Sequence, residues 1–144
     1  MAKNCHRVQA SGSDVEYESC YGTPYLSLGY HRTPASTAHP KSLWVISRPD
    51  ECHTFCTSER HDWVNDDARW SVSKDAQRKI GAGGERLAYF PSRSNDHDPW
   101  HGYPVSGKRS APHRRRPPDA IVQQWYAQGW ISFTTHERLL GGRL

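Results

Sequence analysis

Aliphatic side chains are scarce in this chain. Leu, Ile, Val and Phe together fill 21 of 144 positions, below the roughly 20% under which a highly charged chain fails to bury enough surface to fold. The net charge is only +4, and six Trp and seven Tyr offset the shortage. Each of these rings buries a large area and keeps a polar handle. The expected product is an ordered domain with a small, aromatic-rich core and long irregular segments.

The scarcity is uneven. Residues 1–42 contain only Val8, Val15, Leu26 and Leu28 from the aliphatic and Phe set, so this stretch reads as an extended arm that builds no core alone. Leu26, Leu28 and Tyr30 alternate with Ser27 and Gly29, which fits one short edge strand. Residues 43–144 read as a single compact domain. Leu43 to Ile46, LWVI, is a short, partly β-branched run and reads as a buried strand. Ser47, Pro49, Asp50 and Glu51 then supply a cap, a first-turn proline and negative charge at a helix start. Cys52, Phe55, Cys56 and Trp63 fall on one face of that helix.

A second helix is expected over about Asp67 to Ile80, where Ala68, Val72, Ala76 and Ile80 recur every four residues. Leu87 to Phe90 reads as a strand closed by Pro91. Prolines at 91, 99, 104, 112, 117 and 118 then preclude a long helix or a central strand. Pro117 and Pro118 open a helix that Gly129 stops. Thr134 to Glu137 matches a capping box for a last short helix. Together these elements predict an α+β fold: a small mixed sheet from about Leu26, Leu43 and Leu87, covered by three or four helices, with long irregular loops and a helix-turn-helix-like corner at the carboxyl end.

No window approaches 18 consecutive apolar residues, so no transmembrane helix and no membrane partner are expected. The amino terminus lacks the apolar run of a secretory signal. These features predict a cytoplasmic protein whose Cys5, Cys20, Cys52 and Cys56 stay reduced.

No catalytic signature, phosphate loop or complete metal spacing is present. The densest group of reactive side chains is Asn95 to Val105, NDHDPWHGYPV. His97, His101, Asp96 and Asp98 would be its catalytic residues if the loop cleaved phosphodiesters. The competing reading makes Asp98-Pro99 a tight turn and uses Trp100 and Tyr103 as plugs.

From Pro99 to Pro118 there is no acidic residue, while Lys108, Arg109, Arg114, Arg115 and Arg116 are cationic and His113 lies beside them. With Trp100 and Tyr103, these residues would form a phosphate-contacting, base-stacking surface. Cys52, Cys56 and His61 invite zinc but leave a closed site one ligand short, and Cys5 and Cys20 are spaced like neither half of a finger or ribbon. No cofactor is favoured, with zinc as the metal this set would admit. The adjacent pairs Cys5-His6 and Cys52-His53 do not aim a base at a thiolate.

The leading functional expectation is a non-enzymatic binding module whose surface from Asn95 to Arg116 meets nucleic acid or an acidic protein. The alternatives are a His/Asp-dependent phosphodiesterase or toxin-like ribonuclease, and a zinc-stabilised interaction module.

Overall fold

The computed structural model describes residues 4–34, 41–109 and 115–144. They form an α+β fold with two antiparallel sheets. The first sheet has the order β1-β2-β3, with strands His6–Ser11, Asp14–Glu18 and Pro24–Ser27. Helix α1, Arg48–Arg60, follows. The second sheet has the order β4-β5-β6-β7, with strands Val64–Asn65, Ala68–Val72, Leu87–Phe90 and Tyr103–Val105. Helices α2, Asp119–Ala127, and α3, Phe133–Leu140, complete the chain. Among the described residues no helix is long and apolar enough to cross a membrane.

The start of α1 follows its sequence signals. Ser47 Oγ accepts a hydrogen bond from the Asp50 backbone N–H, Pro49 occupies the first turn, and Asp50 and Glu51 face the positive end of the helix dipole. Cys52, Phe55 and Cys56 are buried on α1, whereas Trp63 lies beyond the helix end, in the turn into β4.

Four expectations change. The single mixed sheet is two antiparallel sheets. Residues 6–27, read as an extended arm with one strand, hold three strands, and the inward groups of this sheet are Tyr17, Cys20 and Tyr25 rather than aliphatics. Leu43 to Ile46 makes only a bridge, Trp44 to Gly81, flanked by a Val45 N–H bond to the Ile80 carbonyl. The helix expected over Asp67 to Ile80 is strand β5 followed by a short 3₁₀ turn, Lys74–Ala76. The repeat of four at Ala68 and Val72 also satisfies a period of two once Trp70, buried between them, is counted.

The core has two centres. One gathers Trp63, Trp70, Leu87, Val105, Ile121 and Trp125 between the second sheet and α2–α3. The other gathers Tyr17, Tyr25, Phe55, Phe90 and Trp100 between the first sheet, α1 and the back of β6. Gly129, at φ +71, lets the chain leave α2. Ser132 caps α3 through its hydroxyl, two residues before the expected Thr134. Trp125 and Ile131 are buried in this corner, and Trp130 is half-buried with its indole N–H on the Val72 carbonyl.

Pro104 sits in β7, at the edge of the second sheet, where its missing N–H costs no ladder bond. The loop before β7 stitches the two sheets together. Trp100 donates its backbone N–H to the Pro24 carbonyl at 3.0 Å and accepts from the Leu26 N–H at 2.7 Å.

Candidate metal centre

Cys5, Cys20, His53 and Cys56 bring one ligand atom each to a common point, all within 4.8 Å of one another. The first sheet places the two early cysteines. His6 pairs with Glu18 across β1 and β2, so Cys5, just before β1, and Cys20, just after β2, lie at the same end of the sheet. A three-residue step on α1 then puts His53 and Cys56 on one helix face.

Cys20 rides in a tight β2–β3 turn. The Ser19 N–H bonds the Thr23 carbonyl at 2.8 Å, and Gly22 adopts φ +80. Ser19 Oγ and Thr23 Oγ1 both donate to the Glu59 carboxylate, three residues beyond Cys56 on α1. Glu59 therefore pins the turn that carries Cys20 to the helix that carries His53 and Cys56. Burial pushes its carboxyl above the ordinary range, partly offset by the Thr23 and Ser19 hydrogen bonds.

The spacing suits a tetrahedral ion. Zn–S bonds of about 2.3 Å and Zn–N bonds of about 2.0 Å separate tetrahedral sulfurs by about 3.8 Å, and sulfur from nitrogen by about 3.6 Å. Cys5 Sγ lies 3.8 Å from Cys20 Sγ, and Cys20 Sγ lies 3.6 Å from His53 Nδ1. Cys5 and Cys56 sulfurs are closer, at 3.2 Å. The Cys20 backbone N–H donates to Cys56 Sγ at 3.0 Å, a bond that strengthens when the sulfur is a thiolate.

Hydrogen bonds from the Cys52 and Cys56 thiols hold the Cys5 thiol down at about 5. Burial, reinforced by Cys56, pushes Cys20 up to about 11. The bonds to Cys5 push Cys52 and Cys56 up as well. With an ion bound, all four positions of a closed Cys₃His shell would come from the protein, the ligand count of structural rather than catalytic sites.

Of the zinc set expected from the sequence, only Cys56 belongs to this group. Cys52 is fully buried beside it but outside the four-donor set. His61 stacks on Trp63 at 4.8 Å and packs on Trp130, with burial holding its imidazole below the ordinary value. The linear sequence conceals this group because its members lie at positions 5, 20, 53 and 56 and converge only through β1–β2 pairing and the packing of α1 on that sheet. The readable signal was His53 three residues before Cys56 on a well-capped helix.

The other predicted residues scatter. His97 and Asp96 are exposed, and Asp98 is half-buried. Asn95 Oδ1 accepts from the N–H groups of both His97 and Asp98, forming a turn that Arg93 braces through the Asp96 and Asp98 carbonyls. These residues form no donor group with His101 of the kind seen at the cysteines. Trp100 is a core residue, its ring 5.5 Å from Phe55, with the Arg69 and Arg93 guanidinium groups over its face. Tyr103 is half-buried and stacks on His31 at 4.8 Å.

Arg109 and Arg116 serve α3. Arg116 donates to the Gly107 and Leu139 carbonyls, and Arg109 reaches the Leu140 carbonyl. Lys108 and Arg115 are exposed, and the Arg115 guanidinium lies 6.0 Å from the Tyr89 ring. Arg114 and His113 lie outside the described residues.

His101 gives a pH expectation. Burial holds its imidazole below the ordinary value, and Nδ1 is buried without a partner. A histidine depressed in the folded state disfavours protonation there, so its contribution to stability is intact above the unfolded value of about 6.5 and erodes as pH falls through it. Denaturant midpoints measured at neutral pH and near pH 5.5 should drop less for His101→Leu than for the parent chain. Equal drops would assign the acid sensitivity elsewhere.

No family model matches the chain, and neither a curated protein nor a solved structure is similar to it.

Proposed function

We propose that this chain is a non-enzymatic binding module whose first sheet is locked onto α1 by a structural zinc ion at Cys5, Cys20, His53 and Cys56. The observation that carries the reading is the convergence of four protein donors, three of them sulfur, within 4.8 Å. Zinc is favoured because it takes thiolate and imidazole together in a closed tetrahedron. Calcium and magnesium prefer all-oxygen shells. Zinc would neutralise the crowded thiols and fix the amino-terminal sheet, which has few aliphatics of its own.

Protein purified with zinc present should retain about one zinc per chain after desalting. Cobalt exchanged into the site should give the absorption of thiolate-to-metal charge transfer, lost in Cys20→Ser/Cys56→Ser. Absence of bound metal after zinc loading, or full retention by the double variant, would refute the zinc assignment.

A second observation favours an anionic partner, nucleic acid or an acidic protein. Lys108 joins Lys79, Arg86, Arg138 and Arg143 around one depression, while Trp100 is buried away from any base. The phosphodiesterase reading has less support, since His97 is exposed and the two aspartates are held in a backbone turn.

A further inference from the structure

The geometry points to a binding site for a compact run of phosphates, such as a triphosphate group, in the depression ringed by Lys79, Arg86, Lys108, Arg138 and Arg143. It rests on the anionic-partner reading above and narrows it to one place and one ligand chemistry.

The depression encloses about 370 Å³, within the size range of small-molecule sites. Its cations come from separate parts of the chain. Lys79 lies before the Gly81–Gly84 turn, Arg86 just before β6, Lys108 just after β7, Arg138 in α3 and Arg143 just beyond it. Convergence from four segments is a product of folding rather than of a local charge run.

The one acidic side chain in the lining, Glu85, is turned to internal work, accepting the Gly83 N–H at 2.9 Å. None of the five cations has a carboxylate partner within ion-pair distance among the described residues. Arg86 is oriented by bonds to the Ala76 and Gln77 carbonyls. Lys79, Lys108, Arg138 and Arg143 are exposed. Five cations around a single acidic side chain leave an excess of positive charge, and a multiply charged anion relieves their mutual repulsion.

The end of α3 adds a second argument. Its carboxyl terminus carries the negative end of the helix dipole toward Arg138 and Arg143, which would repel an anion. Arg116 and Arg109 bind the Leu139 and Leu140 carbonyls there. Two guanidinium groups thus offset the unfavourable end of the dipole and leave the five lining cations to the ligand.

The lining also argues for the kind of anion. It contains no aromatic side chain on which a base could stack. The charge converges on a hollow rather than running along a stripe, which suits adjacent phosphates on one small molecule better than phosphates spaced along a duplex.

The test is calorimetric titration of the zinc-loaded chain at low salt with inorganic triphosphate and, separately, with a short mixed-sequence DNA duplex, with bound metal measured before and after. Triphosphate should bind in the micromolar range without removing metal. Lys108→Glu/Arg138→Glu should weaken it by at least about tenfold, and Arg7→Glu on the exposed face of β1 should leave it unchanged. Duplex binding without triphosphate binding would overturn the compact site while leaving the anionic-partner reading standing. Binding of neither would overturn both. Triphosphate binding that survives in the double variant would also overturn the site, as would heat that merely tracks loss of metal. The zinc assignment stands or falls on its own test in every case.

Discussion

Chelation should unfold the amino-terminal half of this protein. Structural zinc in small domains contributes apparent binding energies of about 10–16 kcal/mol, comparable to the whole stability of a typical domain at about 5–15 kcal/mol. Here the four donors join β1, the β2–β3 turn and α1, and Tyr17, Tyr25 and Phe55 pack within the same core centre. Losing the ion leaves crowded thiols and a sheet held to the helix by Glu51, Glu59, the Arg48 bonds to the Ser27 and Ser13 carbonyls, and aromatic packing.

Adding a strong chelator should lower the melting temperature by more than about 10 °C for a chain of this size, and Cys56→Ser should reproduce most of that loss. Cys52→Ser is the matched control. It removes an equally buried sulfur outside the four-donor set, and should cost about 1–3 kcal/mol through lost packing and its bond to Cys5 while metal content stays unchanged. A melting temperature indifferent to chelator, with Cys56→Ser no worse than Cys52→Ser, would reduce the cluster to ordinary buried cysteines.

Local signals were legible wherever they acted through backbone chemistry. Ser47, Pro49, Asp50 and Glu51 announced α1, and Gly129 marked the end of α2, because caps and left-handed residues act within a few positions. The β5 strand was obscured because Ala68 and Val72 fit periods of two and four alike, and the decisive Trp70 falls outside the four-residue count. The four clustered donors are not legible as a set, since each pair close in sequence, Cys52 and Cys56 or His97 and His101, differs from the group that folding assembles. The amino-terminal strands were underestimated for a compositional reason. Tyr17 and Tyr25 provide their buried face, with Cys20 in the turn between them, so a measure weighted to aliphatics sees little there. In the loop from Asn95 to Val105, the Trp100 ring packs in the core and its backbone joins the two sheets, a role that composition does not reveal.

Glu51 should be the most costly single polar side chain to remove. It is fully buried in the first turn of α1, and its carboxylate accepts hydrogen bonds from Tyr25 Oη at 2.6 Å, Ser27 Oγ at 2.8 Å and Arg32 Nη2 at 2.8 Å. Desolvation drives its pKa upward, and these three donors pull against that rise. Arg32 extends the network by donating to the Ile46 carbonyl. One carboxylate thereby ties β3 and the turn after it to the start of α1. Glu51→Ala leaves a half-buried guanidinium and two buried hydroxyls without their shared acceptor at once, so the expected loss is about 3–5 kcal/mol, near the range for breaking a buried ion pair from one side. Tyr25→Phe removes one bond and leaves the carboxylate with two partners, so it should cost about 1–2 kcal/mol. Chemical denaturation of both variants with metal bound would check the ordering. A loss for Glu51→Ala no greater than for Tyr25→Phe would mean that water reaches the vacated site and that the network orients α1 without holding it, leaving that load to Glu59 and Arg48.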